Sequence, residues 1–125
     1  MVREVGRDGR REPRITVDLG ATLGGRVARV VRVVDLSLVG CLIRSDAPLD
    51  AGAVVDLRLD MPDGLLHTKA RVAESLLDGA SLPGEPQRFL TGLEFMGLAA
   101  AAEVRLRAFV DAIAKRGRSA HTAPS

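Results

Sequence analysis

The chain has 125 residues, of which 46% are hydrophobic and only 2% aromatic, with three Phe and neither Trp nor Tyr. That length sets one domain as the expectation, with a core built from Val, Leu, Ile and Ala. A net charge of +2 is too small to argue for bulk nucleic-acid binding, and three Phe leave no aromatic stacking platform for single strands.

The N-terminal stretch Met1–Pro13 is polar and Arg-rich, with Gly6 and Gly9 and no apolar periodicity; it reads as a flexible arm. From Met1 to Arg32 there are eight Arg against four acidic residues, so an anionic partner is expected at this end. No apolar core of a signal peptide is present in the opening residues, and no run long enough to cross a membrane follows. With a single Cys41, which cannot form an internal disulfide, the expected address is the cytoplasm, without membrane insertion.

From Arg14 the pattern changes. Ile15, Val17 and Leu19 alternate with polar residues, as in a half-buried strand, and Gly24-Gly25 reads as a turn. Arg26 to Val34 is Val-rich, but neither face is cleanly apolar, which suggests a strand with a bulge. Asp35 to Gly40 breaks the run and Cys41 to Arg44 resumes it, with Cys41 expected as a buried small hydrophobe. Val55, Leu57, Leu59 and Met61 form the clearest strand, joined through Pro62-Asp63-Gly64 to a hairpin partner with Leu66, Thr68, Ala70 and Val72 on one face. Asp78 to Pro86 is a loop, and Phe89, Thr91, Leu93 and Phe95 mark a last strand. After Gly97 the period becomes helical, with Leu98, Ala102, Leu106, Phe109, Val110 and Ile113 on one face. Gly117 is expected to end that helix and residues 117–125 to form a disordered tail. Six short strands and one helix within residues 14–116 predict a mainly β fold, a small antiparallel barrel that hides its sheet edges. Ile15, Val17, Leu19, Leu93 and Phe95 are expected in its core.

Two segments carry chemistry. Arg10 and Arg14 are spaced Arg-x-x-x-Arg, a pattern that Arg3/Arg7 and Arg7/Arg11 also satisfy, and Asp35-Leu-Ser37-Leu-Val-Gly40 lies between two strands. A guanidinium fork matches phosphate oxygens or the O6/N7 edge of guanine. A carboxylate accepts from guanine N1–H and N2–H₂, a hydroxyl donates or accepts, and glycine lets backbone approach closely. Taken singly, each segment has an ordinary reading: a solvated basic arm, and a turn whose Asp and Ser satisfy backbone N–H groups. His67, on the polar face of a strand, and His121 have no neighbours in sequence that suggest a metal or catalytic pair.

Arg10-x-x-x-Arg14 followed some twenty residues later by Asp35-x-Ser37-x-x-Gly40, with Gly92-Leu-Glu-Phe95 at the end of the last strand, resembles the PilZ domain family over about Arg10 to Lys115. The resemblance implies a six-stranded antiparallel barrel with one C-terminal helix, binding cyclic di-GMP and catalysing nothing, with no cofactor and no metal. It implies that Arg10 and Arg14 hold phosphate and the guanine Hoogsteen edge. Asp35 and Ser37 read its amino and imino edge, Gly40 keeps the turn open, and Arg7 and Arg11 stand by as additional groups. Val39, where many members carry a second small residue, departs from the pattern. The expected function is a receptor that passes its signal to a downstream protein by ordering the N-terminal arm. The alternative is a PilZ-like protein adaptor without nucleotide binding.

Overall fold

The alternating segments become six strands that close on themselves. In the computed structural model, which describes residues 14–24, 28–79 and 82–122 (side chains through 116), the elements are β1 Ile15–Gly24, β2 Arg29–Leu36, β3 Gly40–Ser45, β4 Val54–Met61, β5 Gly64–Leu77, β6 Phe89–Met96 and α1 Ala100–Thr122. The strands form a closed barrel in the order β1-β2-β3-β6-β5-β4, every adjacent pair antiparallel. Closure removes the unpaired edges that such short strands would otherwise present.

The interior is aliphatic, as the composition requires. Val33, Ile43, Leu57, Leu59 and Ala70 are fully buried within it. Thr91 is buried too, and its hydroxyl is matched by Ser75 at 2.7 Å, so the polar atom carries no desolvation penalty. Ile15 and Leu93 are core residues as the alternation predicts, whereas Val17, Leu19 and Phe95 are only partly buried and pack against the core from its margin.

Two bulges set which side chains face outward. One extra residue in β2 shifts its register against β3: Val33 pairs Ile43, but Asp35 pairs Leu42 and Leu36 pairs Cys41. Val31, Val33 and Leu36 therefore point in, and Asp35 points out. A regular strand would have turned the Asp35 carboxylate toward the core, so the mixed faces of the Val-rich run are the signature of this bulge. A second extra residue, Ala73 in β5, lies between the pairs Val72–Leu93 and Glu74–Gly92. Asp35, expected to interrupt the strand, thus lies inside β2, and Gly24, expected in a turn, is the last residue of β1.

Gly97 joins β6 to α1 with a φ of 61°, a conformation that side chains disfavour. The helix then lays Leu106 and Val110, both fully buried, into the barrel core, flanked by Phe109 and Ile113. It does not stop at Gly117 but runs to Thr122, so the expected tail is helical for most of its length. Glycine costs a helix interior about 1 kcal/mol relative to alanine, which weakens a helix without ending it unless the chain also turns left-handed there. The arm Met1–Pro13 lies outside the described residues.

Candidate functional site

The outward residues at one end of β2, β3 and β6 line a cavity of about 230 Å³ that includes Arg14, Asp35, Ser37, Gly40, Gly92 and Glu94. Leu42, Ala73 and Gly92 give it an apolar floor, with the core residues Leu36, Cys41 and Leu93 beneath. Four of the five residues expected at the site therefore meet here. The fifth, Arg10, lies outside the described residues with Arg7 and Arg11.

Each group is placed by a local cause. Arg14 immediately precedes β1, and its neighbour Ile15 pairs with Leu36, which brings the guanidinium beside the end of β2. Its Nη2 donates to Asp35 Oδ2 at 2.7 Å. The Arg14 side chain is 62% exposed and that of Asp35 25%, so this ion pair is solvent-screened and holds the two groups only lightly. The Ser37–Gly40 turn is closed by the Ser37 N–H donating to the Gly40 carbonyl at 2.9 Å. Ser37 is buried; its hydroxyl donates to the Gly40 carbonyl at 3.3 Å and accepts from the Val39 N–H at 3.2 Å, which leaves one lone pair for an incoming N–H. The turn is tied to β6 by the Phe95 N–H, which donates to the Val39 carbonyl at 2.9 Å.

Gly40 has a reason different from the one the sequence suggested. A Cβ built there would lie 2.1 Å from the Leu93 carbonyl oxygen, a contact no side chain tolerates. Glycine at 40 lets β3 and β6 approach, while Ser37 holds the turn. Val39 is exposed at the rim of the cavity. Cys41 is buried below it; burial first, and then the Asp35 charge, push its thiol up to about 12, so it is a neutral hydrophobe here.

Sequence reasoning missed two wall residues and a floor. Glu94 and Gly92 fall within the third matched motif, so position carried a signal for them. Ala73 follows the outward face of His67, Lys69 and Arg71 in β5, but nothing in the sequence placed it beside Gly92. Among the described residues, no cluster of His, Cys, Asp or Glu is arranged to hold a metal ion, and no helix is long and apolar enough to cross a membrane.

The comparisons with known proteins agree with this fold. The model of the PilZ domain matches residues 8–112. The chain belongs to the PilZ domain family. The PilZ domain of YcgR from Escherichia coli, solved with c-di-GMP, superposes with a TM-score of 0.73 at 15% identity, over 92% of this chain and 98% of that one. The larger YcgR structure in complex with c-di-GMP gives 0.74 at 17% identity, over 92% of this chain and 50% of its own. MrkH of K. pneumonia in complex with c-di-GMP gives 0.73 at 19%, over 92% and 56%. The chain thus spans about half of these longer proteins, and at such identities the likeness is one of fold. No match was found among curated proteins.

Proposed function

We propose that this PilZ domain is a receptor module for cyclic di-GMP. The observation that carries the reading is the convergence of the Arg14 guanidinium, the Asp35 carboxylate and the Ser37–Gly40 turn on one outward cavity. The structural relatives YcgR and MrkH, solved with c-di-GMP, support the ligand class. Among the described residues Arg14 has one hydrogen bond, to Asp35, and its side chain is largely exposed. A phosphate draws that fork away from the carboxylate and replaces one ion pair by a charge-assisted, bidentate contact. Asp35, released, accepts from N1–H and N2–H₂ of guanine, and the remaining lone pair of Ser37 takes a further N–H. Arg10 stands four residues upstream of Arg14, a reach of about 14 Å when extended, so the arm can bring a second guanidinium to the same phosphates. Arg7 and Arg11 add charge along the same arm.

Ligand binding then orders Met1–Pro13 over the barrel, and the ordered arm is what a downstream protein meets. The ligand shifts the arm only by its differential affinity for the ordered state. The test is a calorimetric titration with cyclic di-GMP, with cyclic di-AMP and GTP as controls, together with amide hydrogen exchange across the arm. Cyclic di-GMP is expected to bind best and to protect the arm. Asp35→Ala is expected to lose discrimination against cyclic di-AMP more than it loses salt dependence. An Arg10/Arg14 double alanine variant that binds like wild type would replace this reading by the adaptor function.

A further inference from the structure

Two glycines face the cavity, and the barrel requires only one of them. Gly40 is forced by the Leu93 carbonyl. At Gly92 a Cβ would meet nothing closer than the Ala73 Cβ at 3.9 Å, an ordinary van der Waals contact, and Gly92 is not among the residues with positive φ. A glycine within a strand weakens it and often marks a place where a ligand approaches the backbone. Here it pairs with Leu42 on one side and Glu74 on the other, with the bulged Ala73 beside it. Leu42, Gly92 and Ala73 thus form a flat apolar floor with no side chain rising from its centre.

Two residues along β6, Glu94 stands at the edge of that floor, opposite Gly40. It is exposed and makes no hydrogen bond or ion pair among the described residues, unlike Asp35, which Arg14 engages. Asp35 and Glu94 lie on β2 and β6 with β3 between them, about 10 Å of sheet apart at two strand spacings, so one base cannot use both carboxylates.

We infer that the bare floor at Gly92 is a second base platform, on which a guanine lies flat with its N1–H and N2–H₂ edge accepted by Glu94. The inference rests on the cyclic di-GMP reading and deepens it. A ligand with two guanines meets two separate carboxylates, one per base. Adenine presents an acceptor at N1 and lacks the N2 amino group, so the Glu94 carboxylate rejects it. The platform therefore gives Glu94 a role in specificity and Gly92 a role in access, neither of which the fold itself needs.

The experiment titrates cyclic di-GMP and cyclic di-AMP into wild type, Gly92→Ala, Gly92→Leu and Glu94→Gln, with a thermal melt of each. No variant is expected to melt below wild type, because both positions face outward and a side chain at 92 replaces a strand glycine. Gly92→Leu is expected to weaken cyclic di-GMP at least tenfold, with Gly92→Ala between it and wild type. Glu94→Gln keeps the shape but replaces one acceptor oxygen by a donor, and the preference for cyclic di-GMP over cyclic di-AMP is expected to fall at least tenfold. If wild type binds cyclic di-GMP and either Gly92→Leu binds it equally or Glu94→Gln keeps the preference, the platform is overturned while the receptor reading stands. If wild type does not bind cyclic di-GMP, both are overturned together.

Discussion

Two of the four Arg–Asp pairs among the described residues, Arg14–Asp35 and Arg105–Asp63, differ in their surroundings. Arg105, on α1, donates from Nε and Nη2 to the two oxygens of Asp63 at 3.0 and 2.9 Å, and from Nη1 and Nη2 to the carbonyls of Leu65 and Gly64 at 3.0 and 2.9 Å. Four of its five N–H donors are engaged, and it clasps the helix to the β4–β5 hairpin. Among the described residues Arg14 makes one bond, to one oxygen of Asp35, and its side chain is largely exposed. The same two residue types are therefore used differently: a largely engaged fork fixes one element to another, and a fork with one described bond leaves most of its donors for exchange, which is what the proposed receptor function needs of Arg14.

The comparison breaks first, if it breaks, at the packing beneath the clasp. Leu106 is fully buried, one residue from Arg105, and Leu106→Ala is expected to cost about 2–5 kcal/mol in a denaturant melt. At denaturant-free conditions where the variant is still folded, cyclic di-GMP affinity is expected to stay within about twofold of wild type, since 1.4 kcal/mol corresponds to tenfold. A large loss of affinity would mean that the helix and the cavity are energetically one region.

Next in size is the open pair. Arg14→Ala is expected to weaken cyclic di-GMP by about 10–150-fold, because a charge-assisted contact worth roughly 1.5–3 kcal/mol is removed. The dependence of affinity on salt is expected to flatten as a phosphate contact disappears. The melting temperature is expected to stay at the wild-type value, since the pair is exposed. A stability loss with unchanged affinity would reassign Arg14 to the structural class.

Arg105→Lys sharpens the contrast from the other side. Lysine keeps the charge but cannot span two carboxylate oxygens and two carbonyls at once. A lower melting temperature with unchanged ligand affinity is expected, a smaller effect than emptying the Leu106 site. An identical melt would show that charge alone, without the fork, holds the hairpin.

How far the sequence carried these conclusions depended on what each residue touches. Alternation over Val55–Met61 and Leu66–Val72 and the helical period after Gly97 gave the barrel and its helix, because burial on one face writes its period into the chain. Arg14, Asp35, Ser37 and Gly40 were legible as a group only through their resemblance to the motifs of a known family, and they line one cavity. What was not legible came from long-range geometry. The outward turn of Asp35 depends on an extra residue in β2 that propensity does not locate. The need for glycine at 40 comes from a carbonyl on β6, more than fifty residues away in the chain. Ala73 reaches the cavity only because β5 pairs with β6 there, and the clasp of Arg105 on Asp63 joins residues 42 positions apart. Helix continuation through Gly117 shows the converse: a local stop signal ends a helix only when the backbone takes it up.

The smallest effect separates the clasp from the rest of the acidic surface by pH. Arg105 holds the Asp63 carboxyl below its ordinary value, chiefly through the hydrogen bond and then through its charge, against an opposing desolvation. A carboxyl depressed in the folded state stabilises the fold above its unfolded value, about 3.9, and that contribution disappears as pH falls through the folded value. The melting temperature of wild type is therefore expected to exceed that of Asp63→Asn at pH 6, and the gap to close progressively as pH falls below about 4, since the unfolded carboxyl titrates there. Asp56 is also depressed, first by its hydrogen bond to Lys69 and then by the Lys69 charge, so wild type alone shows an acid limb to which both groups contribute. The difference between wild type and Asp63→Asn isolates the clasp, and the same difference for Asp56→Asn reports a pair with no helix to hold. A gap for Asp63→Asn that persists unchanged to pH 2 would mean that the side chain acts through shape at the hairpin turn, and the clasp would then owe its strength to the two carbonyls that Arg105 also reaches.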